Sequence, residues 1–190
     1  VRNVLDKMGY KYINLKEESF THDLQHGEGM AMLSRLMSYA EKQGRAFGVK
    51  LSNTMPTQIT KGELPGEEMY MSGRALYPLT INLAAKIAAE FSGRVQISYS
   101  GGADFFNIAR ILETGIYPIT VATTLLKPGG YMRMTQMAEE LESVVQNHKA
   151  GVIDVERLQE LASGAFDDPY HLKEKRPVQS RKIGRKLPMS

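Results

Sequence analysis

The sequence predicts an α/β protein in which parallel strands alternate with helices. Segments rich in β-branched and aromatic residues alternate four times with segments whose apolar residues recur at helical spacing, which is typical of parallel βα units. The most regular unit spans residues 95–127 as strand, glycine turn, helix and strand. Because a closed barrel usually needs about 250 residues, we predict the C-terminal part of a TIM (β/α)8-type barrel, followed by a helical extension.

The first half of the chain predicts two strands and one long helix. Residues 1–8 resemble the end of a helix, and residues 12–15 a short strand. One helical stripe, ended by Gly44, precedes a strand at residues 47–51. The stripe consists of Leu33, Leu36, Met37 and Ala40. Residues 53–74 are rich in glycine, proline and charge, and we predict a long loop, which in a compact domain tends to be functional.

The second half repeats the alternation. Pro78 is a favourable residue for opening a helix. A strand at residues 95–99 leads into a Gly-Gly turn, after which Asp104 can cap a helix that Gly115 ends. The next strand is predicted at residues 119–124.

Two further helices complete the prediction. Met134 and Met137 belong to the apolar stripe of the first, where we expect them to pack in the core, and Asp154 caps the second. We therefore expect a barrel part at residues 1–148, a helical extension at 149–168 and a basic linker at 169–190.

Candidate ligand-binding residues follow the ends of predicted strands. The turn Ser100-Gly101-Gly102 leaves room for a ligand to reach backbone N–H groups beside a helix N-terminus, which suits a phosphate. The other candidates are Lys50, Asn53, Ser72, Gly73, Thr123 and Thr124. Each has a purely structural alternative: Lys50 as a solvated strand-edge lysine, the Ser-Gly pair as an ordinary turn, and the threonines as β-formers.

Composition excludes several classes of site. The chain has no cysteine, so these residues form no disulfide, thiolate metal site or cysteine nucleophile. His22, Asp23 and His26 match no standard metal spacing, and we expect no metal site. No apolar run approaches the roughly 20 residues needed to cross a membrane, and no signal peptide pattern is present, so we expect a cytoplasmic protein.

The positive charge is concentrated at the C-terminus. The formal net charge is +3, yet residues 171–190 carry seven lysines and arginines against Glu174, so the body is mildly acidic. A basic tail is compatible with nucleic-acid binding, but no aromatic residue interleaves the charges, and we favour a solvated linker. Because the chain begins with Val1, we expect it to be a piece of a longer protein.

Four segments resemble the flavin-binding barrel of the dihydroorotate and dihydropyrimidine dehydrogenase superfamily. They are INLKEESFTHDLQ (13–25), GVKLSNT (48–54), MSGRALYPL (71–79) and ISYSGGADFFNIARILETGIYPITVATTLLKPGGY (97–131). The likeness covers about residues 1–187 and is greatest to long iron–sulfur flavoproteins named as selenate reductase subunits or glutamate synthase small-subunit-like proteins.

The resemblance implies an FMN-binding barrel. It implies that Ser72 with Gly73, Gly101 with Gly102, and Thr123 with Thr124 line the flavin or its phosphate, that Lys50 lies near the flavin ring, and that Asn53 contacts ring or substrate. It also implies that iron–sulfur clusters lie beyond this chain. The family has a further βα unit between the lysine strand and the Ser-Gly turn. This barrel is therefore shortened, or Asn53 stands for an asparagine of the later strand.

Two functions are open at this point. One is a fragment of a flavin and iron–sulfur oxidoreductase that binds FMN by its phosphate at Gly101-Gly102. The alternative is a degenerate, non-catalytic barrel that serves as a scaffold in an electron-transfer protein. The family's catalytic base has only Ser19 and Thr21 as candidates here, neither of which is a convincing match, so no catalytic residue is assigned. The expected partners are flavin, the remaining domains of the same polypeptide and a second copy of the fragment.

Overall fold

A computed structural model describes residues 1–52, 54–62, 64–146 and 151–167. The elements are, in chain order, α1 (Arg2–Lys7), β1 (Asn14–Leu15), α2 (Glu18–Thr21), α3 (His26–Lys42), β2 (Gly48–Leu51), β3 (Met55–Gln58), β4 (Glu68–Met71), a 3-10 turn (Gly73–Ala75), α4 (Tyr77–Glu90), β5 (Gln96–Ser100), α5 (Ile108–Glu113), β6 (Ile119–Thr120), α6 (Met132–Val145) and α7 (Val155–Gly164).

The strands β2, β5 and β6 form a parallel sheet in that order. Leu51 pairs in register with Tyr99, and Tyr99 with Ile119. Alternate side chains along β5, from Ile97 to Tyr99, are buried in the main core, as expected for a sheet covered by helices on one face. The predicted α/β class with a parallel sheet is confirmed.

Helix α4 lies at the centre of this core. Pro78 occupies its first turn as predicted, and residues on several sides of the helix are buried, among them Ile81 and Ala84 at 0% exposure. Burial on several sides requires a partner beyond the sheet, and α7 supplies it. The Asn82 side-chain amide donates to the Ala162 carbonyl at 2.9 Å across the two helices.

The segment before α7 joins the ends of α4 and α5. Backbone N–H groups of Ile153 and Asp154 donate to the carbonyls of Gly93 and Thr114 at 3.1 and 2.9 Å. The Asp154 carboxylate accepts from the Arg157 N–H at 3.0 Å, which confirms it as the N-cap of α7. The helix predicted as an extension thus packs into the main core.

The predicted long loop at residues 53–74 is wrong, because it contains a β-hairpin. Strands β3 and β4 pair antiparallel, with Met55 opposite Met71, and the Thr57 hydroxyl donates to the Met69 carbonyl at 3.1 Å. On the other side β3 pairs antiparallel with β1, so β1 lies outside the parallel sheet. This second sheet packs on α1 around its own cluster of buried residues. The cluster contains Leu5, Met8, Tyr10, Ile13, Met71, Ala75 and Leu76.

The hairpin lies between β2 and α4 in the chain, where the resemblance implied a further βα unit. Strand β2 pairs directly with β5, so no strand lies between them in the sheet. Of the two interpretations of the missing unit, this pairing favours a shortened barrel. The strand predicted at residues 119–124 is also shorter, since β6 ends at Thr120.

Two predicted helix faces need correction. Helix α3 begins at His26, and its contact with the core comes from Met30, Leu33 and Met37, whereas Leu36 is 42% exposed. On α6, Met137 is buried but Met134 is 48% exposed. An apolar stripe predicts which residues share a helix face. How many of them become buried depends on how much of that face the neighbouring elements cover.

Candidate functional site

A cleft of about 150 Å³ opens where the two sheets meet. It lies beyond the carboxyl ends of β2 and β5, the end at which α/β barrels place their active sites. The lining residues are Ser52, Thr54, Ser72, Gly73, Leu76, Ser100, Gly101, Gly102, Ala103, Thr120, Ala122 and Thr123. Six of the nine residues predicted from the sequence therefore meet in one place: Ser72, Gly73, Ser100, Gly101, Gly102 and Thr123.

The floor of the cleft is the Gly-Gly turn after β5. Gly101 and Gly102 have φ angles of +150° and +75°, which residues other than glycine rarely adopt. A Cβ on Gly101 would lie 2.5 Å from Thr80 Oγ1, and one on Gly102 would lie 2.9 Å from Tyr77 Cβ and would also meet the Gly73 carbonyl. Both positions therefore require glycine for conformation and for space.

Buried side chains hold this turn from behind. The Tyr99 hydroxyl donates to the Gly101 carbonyl at 3.0 Å, and the Asn107 amide donates to the Gly102 carbonyl at 3.0 Å. Tyr99 and Asn107 are 0% and 1% exposed. Burial, with smaller contributions from Tyr77 and Asp104, raises the pKa of the Tyr99 phenol well above its ordinary value. The phenol therefore stays protonated and remains a donor.

The helix expected to begin at the turn starts later. Asp104 does not cap α5: its carboxylate accepts from the Phe106 N–H at 3.0 Å, and α5 begins only at Ile108. The helix that begins beside the cleft is α4, since the cleft residue Leu76 immediately precedes it. Any favourable helix-dipole contribution at the cleft comes from this fourteen-residue helix.

One wall joins the Ser-Gly turn to the segment after β6. The Thr123 hydroxyl donates to Ser72 Oγ at 3.2 Å. Gly73 has a φ of +68°, and a Cβ there would lie 2.8 Å from Thr123 Cγ2. The predicted pairs from two distant parts of the chain are thus in direct contact.

The lining also contains residues that the sequence analysis missed. Ser52 and Thr54 precede the hairpin, and Thr120 ends β6. The Ser52 hydroxyl lies 2.7 Å from Thr80 Oγ1, and the Ser52 N–H donates to the Ser100 carbonyl. A search for hydroxyl residues at every predicted strand end would have found Ser52.

Two predicted site residues in the described part of the chain do not line the cleft, and a third lies outside that part. Lys50 is exposed on β2, opposite Ser98 in the sheet and between Val49 and Leu51, which face the core. Thr124 is 7% exposed and is not one of the lining residues. Asn53 lies outside the described residues, although both of its neighbours line the cleft.

The described lining is polar but uncharged. Its side chains offer hydroxyl groups, and no described lining residue has an ionisable side chain. Hydroxyls and backbone N–H groups suit an anion such as phosphate, whereas proton transfer or metal binding needs groups that this lining lacks. Elsewhere in the described parts of the chain, no three metal-ligating side chains come together. None of the described helices combines the length and apolarity required to cross a membrane.

Comparison with known proteins places the chain among oxidoreductase barrels. A family model described as "Oxidoreductase YgfK, N-terminal TIM-barrel domain" matches residues 1–173. Two relatives named "Putative oxidoreductase YgfK", from Escherichia coli K12 and O157:H7, are each 50% identical over 192 residues. The match covers 100% of this chain and 18% of each relative, so the chain spans less than a fifth of their length. No solved structure matches the chain.

These matches confirm the predicted barrel class and the oxidoreductase family. The descriptions mention no cofactor, and the expectations of FMN, iron–sulfur clusters and dehydrogenase-like chemistry stay predictions.

Proposed function

This chain belongs to the family of oxidoreductase YgfK N-terminal TIM-barrel domains, and from that membership we propose that its cleft binds the phosphate of a redox cofactor, FMN. The single observation that carries the proposal is the meeting of two glycine turns with the hydroxyl groups of Ser52, Ser72 and Thr123 beyond the carboxyl ends of β2 and β5. Bound FMN would supply the ring that accepts and donates electrons.

The donor set of the cleft fits a phosphate. Phosphate oxygens accept hydrogen bonds, and the hydroxyls of Ser52 and Ser72 can donate them, because Ser72 accepts from Thr123 and keeps its own proton. The described lining contains no carboxylate that would repel the anion. The volume of about 150 Å³ matches a phosphate group rather than a whole flavin, so the ring would extend beyond the cleft.

The glycines let the turn pack closely on the residues that support it, at the place where the phosphate would bind. Gly101 and Gly102 bring the main chain close to Thr80 and Gly73, and any larger residue would displace the turn. The partial positive charge at the start of α4 adds to the attraction of an anion. We further propose that Lys50, on the sheet face that α4 does not cover, lies near the flavin ring.

The test is a titration of FMN and of riboflavin, which lacks the phosphate, into the longest natural polypeptide that contains these residues. We expect tighter binding of FMN than of riboflavin, and loss of that preference in Gly102→Asp. Equal affinity for both ligands would refute the phosphate site. Absence of FMN binding altogether would support the scaffold alternative instead.

The remaining domains of the polypeptide are part of this proposal. Helix α3 exposes an apolar stripe of Met32, Leu36 and Tyr39, and no strand among the described residues pairs with the outer side of β2. Apolar surface and a free strand edge favour association. We propose that further barrel units cover this side, that iron–sulfur clusters beyond the chain exchange electrons with the flavin, and that the isolated chain associates with itself.

Sedimentation at increasing protein concentration tests whether the isolated chain associates with itself. A chain that stays monomeric over a wide range would contradict an incomplete barrel. A measurement of the iron content of the long polypeptide tests whether it contains iron–sulfur clusters.

A further inference from the structure

We infer that Thr80, which does not line the cleft, is a positioning residue for phosphate binding and acts through Ser52 and Gly101. The inference rests on the proposed function of the same cleft. Thr80 lies in α4 and is 2% exposed. A buried hydroxyl in an apolar core is costly unless it is hydrogen-bonded, so its partner is informative.

That partner is Ser52, a cleft residue. Their hydroxyl oxygens are 2.7 Å apart, and the Ser52 N–H is bonded to the Ser100 carbonyl. Ser52 is thus fixed by its main chain to the end of β5 and by its side chain to α4. The two contacts hold a hydroxyl group of the cleft lining from two directions.

Thr80 also supports the turn. A Cβ built on Gly101 would lie 2.5 Å from Thr80 Oγ1 and 3.0 Å from both Thr80 Cβ and Cγ2. The Gly101 main chain therefore lies directly on the Thr80 side chain, while the Tyr99 hydroxyl holds the Gly101 carbonyl. One threonine sets the position of both the floor and a wall of the cleft.

The direction of the hydroxyl pair then determines what Ser52 can do. Each hydroxyl has one proton, and a phosphate oxygen only accepts. When Thr80 donates to Ser52, the proton of Ser52 is free to donate to the ligand, and the two hydrogen bonds polarise each other. An anion in the cleft selects this arrangement, whereas a ligand without phosphate gains nothing from it.

The test measures FMN and riboflavin affinities of the longest natural polypeptide in three variants. Thr80→Val removes the hydroxyl with little change in shape, and Thr80→Ser keeps it. Thr114→Val is the matched control, because Thr114 is also buried and its hydroxyl donates to the Ile111 carbonyl at 2.7 Å, away from the cleft. Far-ultraviolet circular dichroism checks that each variant is folded.

We expect Thr80→Val to weaken FMN binding on the order of tenfold, equivalent to one hydrogen bond to a charged group, and to leave riboflavin binding unchanged. Thr80→Ser and Thr114→Val should resemble the wild type. Unchanged FMN affinity in Thr80→Val, or equal weakening of both ligands, would overturn the positioning role while leaving the proposed cleft intact. A wild type that does not prefer FMN would refute the cleft itself, and this inference with it.

Discussion

The two sheets that meet at the cleft contribute to it unequally. On the parallel-sheet side, the Gly101-Gly102 turn rests on Tyr77, Thr80 and Tyr99, which are at most 2% exposed. On the antiparallel side, the hairpin supplies Ser72, which is exposed, and carries Tyr70 at 64% exposure. We infer from this difference that a phosphate in the cleft would be positioned from the parallel sheet, whereas the hairpin adds hydroxyl groups at its ends.

Alanine substitutions of one glycine on each side of the cleft should give the largest difference in unfolding free energy and FMN binding. Gly102→Ala places a methyl group against Tyr77 and the Gly73 carbonyl at a φ of +75°, and we expect a loss of about 2–5 kcal/mol in unfolding free energy together with loss of FMN binding. Gly62, in the hairpin connection, has a φ of +64° with nothing within 4 Å of a built Cβ. Gly62→Ala should cost only about 1–2 kcal/mol and leave FMN binding unchanged.

Denaturant unfolding and FMN titration of both variants measure this contrast. Equal losses of unfolding free energy and FMN affinity in the two variants would show that the Gly-Gly turn is no more constrained than an open hairpin connection. The parallel sheet would then not be the more constrained side of the cleft.

The sequence predicted the constrained side well for a physical reason. Gly101-Gly102 stands between a strand pattern and a helix pattern, so local signals along the chain identify this turn, whereas Ser72-Gly73 was predicted to lie in a loop. The sequence could not predict that β1 pairs with β3, because Asn14 and Gln58 are distant in the chain and neither strand has a regular alternation. Pro56 also disfavoured a strand, although it is tolerated in this short hairpin.

Removal of the Tyr99 hydroxyl tests the support of the Gly101-Gly102 turn through the loss of a single hydrogen bond. Tyr99→Phe removes the donor to the Gly101 carbonyl, and we expect a loss of about 1 kcal/mol in unfolding free energy and weaker FMN binding. Unfolding at neutral pH measures the first effect, and titration with FMN the second. A variant with unchanged affinity for FMN would show that Asn107 and Thr80 suffice to hold the turn.

The same residue predicts a pH dependence. The pKa of the Tyr99 phenol in the folded protein lies well above its ordinary value of 10.0. The folded state therefore binds the phenolic proton more tightly than the unfolded chain does. The stability that this provides is fully present below pH 10.0 and decreases as the pH rises towards the folded-state pKa, because the unfolded chain ionises first. Unfolding measured below and above pH 10.0 should show a smaller decline in Tyr99→Phe than in the wild type. An identical decline would contradict the buried, protonated phenol.

The smallest effect is expected on the antiparallel side. The Lys16 ammonium lies 2.5 Å from Glu68 and joins the segment after β1 to β4 at the surface. Its hydrogen bond and charge attraction with Glu68 raise the pKa of Lys16, but exposed ion pairs contribute little to stability. Glu68→Gln should leave the unfolding midpoint within experimental error and FMN affinity unchanged. A clear loss of either would mean that the hairpin positions the ligand after all.

Hydrogen exchange of backbone amides in the longest natural polypeptide tests the central claim most directly. Because we propose that FMN places its phosphate against the two glycine turns, exchange at residues 72–73 and 101–103 should slow when FMN binds. Riboflavin at equal occupancy should leave these amides unchanged. FMN binding without protection at either turn would contradict the account, because the phosphate would then lie elsewhere.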